Sequence, residues 1–299
     1  MCNLSAKARA YFDRARDDWT YFFVGRLLSA RVGLATGARF CPYARVKIHP
    51  SPVRLFTGCL LHTGFLRAEV TLSSGFDYST GDYGLPVSTE ITTIPFSMSY
   101  VVNQTTWELS LPYLHIDGPG EVVPGIGRFT RRLVLLKTVN QGLGDLTLGV
   151  TRQFAVPADQ PWSWAAGAEV KIGTADADKF LGTGQDDFAT HVDLYYTAGS
   201  ITPFVTLGYR WLGSAPGSNL RNYLFGTVGV SWACTDKVTL GLLLDWAEKT
   251  SADGESSANL TLSASRAFGE NWQAQVYGVL GSSDASADYS LGLGASRRF

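Results

Sequence analysis

Charged side chains at alternate positions are the residues of this chain best placed to do chemistry. Glu169-Val-Lys171 and His191-Val-Asp193 each hold two ionisable groups two residues apart, a spacing that puts side chains on one face of a β-strand. Opposite charges on neighbouring strands can pair, and a ring of charged groups selects what crosses a pore. The sequence leaves two interpretations open, a selective constriction or binding patch and a set of neutralising pairs that fill a narrow interior. The candidates are Asp77, Glu108, Glu169, Lys171, His191, Asp193, Arg210 and Asp245.

Catalytic chemistry finds less support in the residue types. Beyond residue 68 the histidines lie in His115-Ile-Asp117 and His191-Val-Asp193, and neither begins the His-x-Ser pattern of outer-membrane phospholipases. A hydrolase needs a base beside its nucleophile, so a lipid hydrolase is the weakest alternative and we predict no enzyme activity. Two separated histidines and Cys234 give no metal-ligand spacing, and no glycine-rich phosphate loop opens a helix. We therefore expect no metal, no cofactor and no nucleic-acid partner.

The composition indicates a strand-rich chain. Only 17% of the 299 residues are charged, 32 are glycine, and aromatic residues are frequent, with 8 Trp, 13 Tyr and 16 Phe. No segment approaches the length of apolar sequence that a membrane-spanning helix needs. The strands of a membrane barrel, in contrast, leave the overall hydropathy modest.

Alternating runs of about ten residues, the length of a membrane-spanning strand, recur from residue 69 onward. Twelve such runs can be counted, and an even number suits a closed antiparallel barrel with both chain ends on one side. The sequence therefore predicts an all-β fold, a transmembrane antiparallel up-and-down β-barrel of about twelve strands. The predicted strands are residues 69–79, 88–102, 105–115, 144–154, 163–173, 189–198, 200–212, 221–233, 236–248, 257–267, 271–281 and 288–299.

The connections between these runs alternate in length. The connections at residues 103–104, 155–162, 199, 235 and 268–270 are short or moderate, and those between them are generally longer and more polar. Short periplasmic turns and longer extracellular loops are typical of outer-membrane barrels. We therefore predict location in the bilayer of the cell outer membrane.

Outward-facing aromatic residues are predicted to collect near both ends of the strands, with aliphatic residues between them. A bilayer selects this arrangement because amphipathic rings prefer its two interfaces. The girdle near the short turns comprises Tyr100, Trp107, Phe154, Trp164, Trp232, Trp272 and Phe299. The girdle near the long loops comprises Phe76, Tyr78, Tyr113, Tyr209, Trp211, Trp246 and Tyr289.

The longest predicted connection, residues 116–143, is too apolar to be only a solvated loop. Its valine, isoleucine and leucine side chains could fold back across the mouth as a gate, or dock a hydrophobic solute. The alternative is that the third and fourth strands extend above the membrane. The gate candidates are Val122, Val123, Ile126, Arg128, Arg131 and Arg132.

The first 68 residues differ in charge from the rest of the chain. They carry eleven Lys or Arg against three Asp, whereas residues 69–299 carry 14 basic against 23 acidic residues. A degenerate signal peptide that ends near Ala68, or an over-extended amino terminus, would explain the contrast. We therefore predict a basic leader at residues 1–68 and a barrel at residues 69–299.

Three segments together resemble one known family. They are Ser73-Ser-Gly-Phe-Asp-Tyr-Ser-Thr-Gly-Asp-Tyr-Gly84, Leu109-Ser-Leu-Pro-Tyr-Leu-His-Ile-Asp-Gly-Pro-Gly120 and Gly142-Leu-Gly-Asp-Leu-Thr-Leu-Gly149. Residues 69–299 resemble the outer-membrane transporter-like barrels named for the meta-pathway (MetA-pathway) of phenol degradation. The resemblance implies a channel or transporter-like barrel for small hydrophobic or aromatic solutes, with no catalytic residues to carry over. A structural or adhesion barrel without transport is the alternative.

The chain ends on Phe299, and resemblance to outer-membrane barrels implies that the assembly machinery recognises such a terminal aromatic residue. Deleting Phe299 should lower the amount of inserted protein but leave the conductance of inserted molecules unchanged. Membrane yield of the deletion, compared with Phe299→Tyr as a control, measures the effect. A normal yield of the deletion variant would contradict the assignment.

Overall fold

A computed structural model describes residues 68–119, 122–128, 137–154, 157, 160–213, 219–251 and 254–299. The predicted leader lies, apart from Ala68, outside the described residues, as do Arg131 and Arg132. No helix in the described ranges is long and apolar enough to cross a membrane.

The described chain is almost entirely extended. Its strands are β1 (Ala68–Gly81), β2 (Thr89–Val102), β3 (Thr105–Pro119), β4 (Val122–Val123), β5 (Gly127–Arg128), β6 (Lys137–Leu143), β7 (Leu146–Phe154), β8 (Trp162–Ile172), β9 (Asp187–Tyr196), β10 (Ile201–Trp211), β11 (Tyr223–Ala233), β12 (Val238–Ala247), β13 (Ser257–Phe268), β14 (Trp272–Gly281) and β15 (Tyr289–Arg298). Among the described residues, one 3-10 turn, Ala177–Lys179, lies between β8 and β9.

The sheet closes on itself. Each strand of the wall pairs antiparallel with its sequence neighbours, and β1 pairs with both β2 and β15. Since β6 and β7 both pair with β3, they form two halves of one strand of the barrel wall. Each such full-length wall strand is called a stave below. In the part of the chain that the structure describes, the wall thus has twelve staves, and the predicted barrel is confirmed.

The interruption between β6 and β7 is a β-bulge opposite Pro112. The register passes from Ser110 opposite Thr147 to Tyr113 opposite Leu143, a shift of one residue, and Gly144 N donates to Pro112 O at 2.8 Å. Proline has no N–H to donate to the ladder, so a bulge beside it is expected.

The third and fourth strands are therefore longer than predicted. β3 continues to Pro119, and its partner stave begins at Lys137 instead of residue 144. One face of β6 is exposed, and on the other face Asn140 and Gly142 are half-buried. The sequence of β6 has no regular alternation of apolar and polar residues, which is the pattern that identifies a half-buried strand.

The outer wall is apolar, and none of the fourteen predicted girdle residues is buried. Neighbours in one girdle touch each other: Phe154 stacks on Trp164 with ring centroids 3.9 Å apart, and the rings of Tyr209 and Trp211 lie edge to face at 4.8 Å. Leu262, half way along β13, keeps 59% of its surface exposed. A closed barrel with an apolar belt between aromatic girdles is a transmembrane barrel of the outer-membrane type.

Replacing Leu262 by arginine should lower the free energy of unfolding by about 2–4 kcal/mol, because the charge would face lipid near the bilayer midplane. Urea unfolding of the barrel in lipid vesicles measures this change. Ile201→Arg, at the short-turn end of β10, is the matched control and should cost about 0–1 kcal/mol. Equal costs at the two positions would contradict the assigned depth.

Candidate functional site

The predicted lumen residues face the interior of the barrel. Their strand positions alternate with exposed outer residues, and Asp77, Asp193 and Arg210 keep 2% or less of their surface exposed. Glu169, Lys171, His191 and Asp245 are also buried. Glu108 also lies on the inner face but is only half-buried. Their role in selectivity remains a prediction.

Lys171 is held by three groups on the interior side of β8. Its Nζ lies 2.9 Å from Asp187 Oδ2 and 3.0 Å from Asp145 Oδ2, and it donates to Thr183 Oγ1 at 3.2 Å. Asp187 lies directly across the β8–β9 ladder from Lys171. Two carboxylates thus pair with this one buried ammonium group.

The sequence did not reveal these partners of Lys171. Asp187 belongs to the alternation of inward residues on β9, but the predicted strand began two residues after it. Asp145 follows the bulge at Gly144, which turns its carboxylate toward Lys171. A bulge changes the direction of a side chain in a way that simple alternation cannot predict.

Arg210 forms a second buried ion pair. Its Nη2 donates to Glu169 Oε1 at 2.9 Å, although β8 and β10 are separated by β9. The small residue Ala189 lies between them in the register of the sheet, so the two long side chains meet over it. The guanidinium carbon also lies 5.9 Å from the centre of the Phe225 ring.

A row of four polar residues crosses β9, β10, β11 and β12. Thr206 lies across from both Asp193 and Thr227, and Thr227 lies across from Asp245. Thr206 Oγ1 donates to Asp193 Oδ1 at 2.7 Å, and Thr227 Oγ1 donates to Asp245 Oδ1 at 2.6 Å. His191 Nε2 lies 3.6 Å from Asp193 Oδ2. Each of the two buried carboxylates, Asp193 and Asp245, therefore accepts a hydrogen bond from a threonine hydroxyl.

Aromatic rings inside the barrel lie very close to glycines of neighbouring strands. A Cβ atom on Gly208, Gly229 or Gly292 would come within 2.5 Å of the ring of Phe225, Phe204 or Tyr277 respectively. Only glycine leaves room for rings this close to the wall. These aromatic residues share the inward parity of the charged set, which is the sequence signal that could have identified them.

An apolar cluster lies at the long-loop mouth of the barrel. Its buried members, drawn from two long loops, β2, β3 and β4, are Tyr83, Leu85, Ile91, Leu114, Ile116, Val122, Ala175 and Leu181. A short capped turn positions Leu181, because Asp176 accepts hydrogen bonds from the backbone N–H groups of Asp178 and Lys179. The Lys179 side chain also bonds Asp176 and lowers the pKa of this carboxyl.

The hairpin formed by β4 and β5, residues 122–128, reaches across the mouth. Val122, Val123 and Ile126 are buried, and Thr250 Oγ1 donates to Ile126 O at 3.0 Å. Thr250 follows β12, which lies half way round the barrel from β3. Both predicted alternatives therefore apply. β3 and β6 extend beyond the predicted strand ends, and the tip of the hairpin folds inward across the mouth. The side chain of Arg128 is outside the described set, and the role of the hairpin as a gate remains a prediction.

The Arg210→Met variant should lose about 3–5 kcal/mol of unfolding free energy, because Glu169 would stay buried without its guanidinium partner. The double variant Glu169→Gln, Arg210→Met should recover much of this loss, since no uncompensated charge remains. Urea unfolding in vesicles measures both. A single variant as stable as the unmodified protein would contradict the ion pair.

Solved structures share this fold. The crystal structure of an outer-membrane channel from Pseudomonas putida F1 has a TM-score of 0.60 and 13% sequence identity, with 85% of this chain and 100% of that chain covered. The NanC porin has a TM-score of 0.50 and 11% identity, with 76% and 98% covered. At such identities the likeness concerns the fold.

Sequence comparison gives the family. No curated protein matches the chain. Residues 71–299, in contrast, match the family described as the putative MetA-pathway of phenol degradation. This match spans most of the chain and contains every described strand except the first residues of β1. The chain therefore belongs to the family of the putative MetA-pathway of phenol degradation.

Proposed function

We propose that the protein is an outer-membrane channel through which small hydrophobic or aromatic solutes pass. The observation that carries this proposal is the combination of a closed barrel, a polar interior and an apolar cluster at the long-loop mouth. An apolar rim would collect solutes of low polarity, and a polar passage beyond it would bind them too weakly to retain them. The family description, which names phenol degradation, supports the same solute class.

The hairpin of residues 122–128 is the gate in this proposal. It is held by apolar packing and by the Thr250 hydrogen bond, so it can be released without breaking the ladder of the wall. The outer-membrane assembly machinery is the partner proposed for Phe299. The backbone N–H of Phe299 donates to Val70 O at 2.8 Å, which places this residue at the seam where the barrel closes.

Lipid hydrolysis has one structural observation in its favour. On the outer wall, His115 Nδ1 lies 3.2 Å from Gln141 Oε1, and Thr92 lies directly across from His115 on β2. This order places a hydroxyl, an imidazole and an amide in one row. A nucleophile must contact its base, however, and no hydrogen bond joins Thr92 to His115 among the described contacts. We therefore propose transport without catalysis.

Planar-bilayer conductance and release of aromatic solutes from liposomes test the proposal. The refolded protein should conduct and should release such solutes faster than empty liposomes do. A barrel that neither conducts nor releases them would leave the structural or adhesion alternative. Hydrolysis of lipid by the protein, lost in His115→Asn, would instead favour the enzyme.

Opening the gate should raise conductance. Ile126→Asp places a charge in the buried cluster, where its desolvation would expel the hairpin from the mouth. Val139→Asp is the matched control, because Val139 is exposed on β6 and the same charge there meets solvent. Equal conductance of the two variants and the unmodified protein would contradict a gating role.

A further inference from the structure

Two arginines on the outer wall have no polar partner in the protein. Among the described strand residues that face outward near the short turns, the charged ones are Arg152, Arg266 and Arg297, and all three are exposed. Arg152 Nη1 donates to Thr105 Oγ1 at 2.8 Å. Within the described part of the chain, no ion pair or hydrogen bond engages the guanidinium group of Arg266 or of Arg297. A guanidinium group has five N–H donors, so these two can bind an external acceptor.

Aromatic rings hold both guanidinium groups in place. The guanidinium carbon of Arg266 lies 5.3 Å from the centre of the Phe268 ring. That of Arg297 lies 5.4 Å from the centre of the Trp272 ring and 4.7 Å from the centre of the Phe299 ring. A cation within about 6 Å of a ring centre is attracted by the π-electrons. The rings therefore position the two charges without using their N–H donors.

The register of β13, β14 and β15 brings the two arginines into one patch. Phe268 lies directly across from Trp272, and Trp272 lies directly across from Arg297. Arg266 precedes Phe268 by two residues on the same face of β13. Its long stem carries the charge toward the turn, where it meets the Phe268 ring, as arginines near a membrane interface do. Both charges thus lie beside the same row of side chains at the short-turn end.

Small side chains lie between the two arginines. Ala274 is directly across from Arg266, and Ala295 is directly across from Ala274. Ala295 also precedes Arg297 by two residues on the outer face of β15. Because alanine side chains are short, the wall is low between Arg266, Arg297 and the Trp272 ring. A small group can therefore approach both charges there.

Farther from the short turns, the same three strands present an aliphatic surface. Leu262 on β13, Val276 on β14 and Leu293 on β15 each keep more than half of their surface exposed. Val276 lies directly across from Leu293. A ligand at this position would meet two cations at its polar end and an apolar wall along the rest of its length.

The acidic groups nearest the patch do not pair with its two arginines. Glu69 Oε1 approaches Arg298 Nε at 3.9 Å, on the inner face of the wall. Glu270 lies in the turn between β13 and β14, where its carbonyl oxygen accepts a hydrogen bond from Arg298 Nη2. No ion pair of the described residues joins Glu270 or the terminal carboxylate of Phe299 to the outward arginines. The patch therefore complements an anion.

We propose that Arg266 and Arg297 bind the phosphate group of an anionic phospholipid in the periplasmic leaflet, with its acyl chains along the aliphatic surface of β13, β14 and β15. The short turns of such barrels are periplasmic, and aromatic girdles lie at the level of the headgroups. The planar guanidinium group binds phosphate oxygens bidentately. This inference goes beyond the proposed channel function and does not depend on it.

Lipid retention by the refolded full chain tests the site. The protein in a non-ionic detergent is titrated with phosphatidylglycerol, and native mass spectrometry counts the bound lipid. One phosphatidylglycerol should bind more tightly than any further one. Phosphatidylcholine, whose phosphate already has a quaternary ammonium partner, should bind about tenfold more weakly. Equal retention of the two lipids would overturn the assignment.

Arginine variants locate the site. Arg266→Gln and Arg297→Gln should each weaken phosphatidylglycerol binding by about tenfold, since each removes a charge-assisted hydrogen bond. Arg152→Gln is the matched control, because Arg152 is also outward and exposed but is bonded to Thr105, and it should bind the lipid like the unmodified protein. The double lysine variant should bind with intermediate affinity, because lysine keeps the charge and loses the planar fork. Full binding by the double glutamine variant would show that the lipid binds elsewhere.

Inorganic phosphate distinguishes a lipid site from a site for a soluble anion. An excess of inorganic phosphate should leave the phospholipid bound, because the acyl chains add apolar contacts that free phosphate lacks. Displacement of the lipid would instead assign the patch to a soluble anion and overturn the proposal.

Conductance separates this inference from the proposed function. The substitutions are at exposed positions, so each variant should fold, which the altered gel mobility of a barrel before and after heating verifies. A barrel that is silent in bilayers but retains phosphatidylglycerol through Arg266 and Arg297 would remove transport and leave the lipid site. A barrel that conducts but retains the lipid equally in the double glutamine variant would remove the lipid site and leave transport.

Discussion

Closure of the sheet is the constraint on which the rest of this structure depends. In a bilayer every backbone N–H and C=O group must be paired within the protein, and only a wall without free edges achieves this with strands. Here the seam joins β1 to β15, and the N–H of Phe299 extends it by pairing with Val70. The last residue of the chain therefore completes the same ladder that the first described residues begin.

Closure also fixes what the interior can hold. A twelve-strand wall encloses a space that large side chains can fill and small ones cannot. This chain has large aromatic residues and ion pairs on the β7 to β12 side of the interior and mainly small residues on the other side. The ion pairs of Lys171 and Arg210 lie on the β7 to β12 side, where each buried charge has an oppositely charged partner, as buried charges require.

The fold was largely predictable, because the outer wall repeats one simple pattern. Twelve alternating runs gave the staves, and the sorted aromatic residues gave the depth of the barrel in the bilayer. The prediction failed where that pattern stops. Residues 137–143 of β6 carry no regular alternation of apolar and polar side chains, so they were assigned to a loop. The bulge beside Pro112 likewise reorients Asp145, a partner of Lys171 that alternation could not identify.

The sequence by itself determined which side chains face lipid and which face the interior, since a strand has a fixed period of two residues. Tertiary structure decided which inward residues meet. The register of β8, β9 and β10 lets Glu169 and Arg210 meet across Ala189, and closure of the barrel places Thr250, half way round from β3, within reach of the hairpin tip. Such contacts depend on barrel closure and on side-chain volume across the interior, and neither is a property of any single strand.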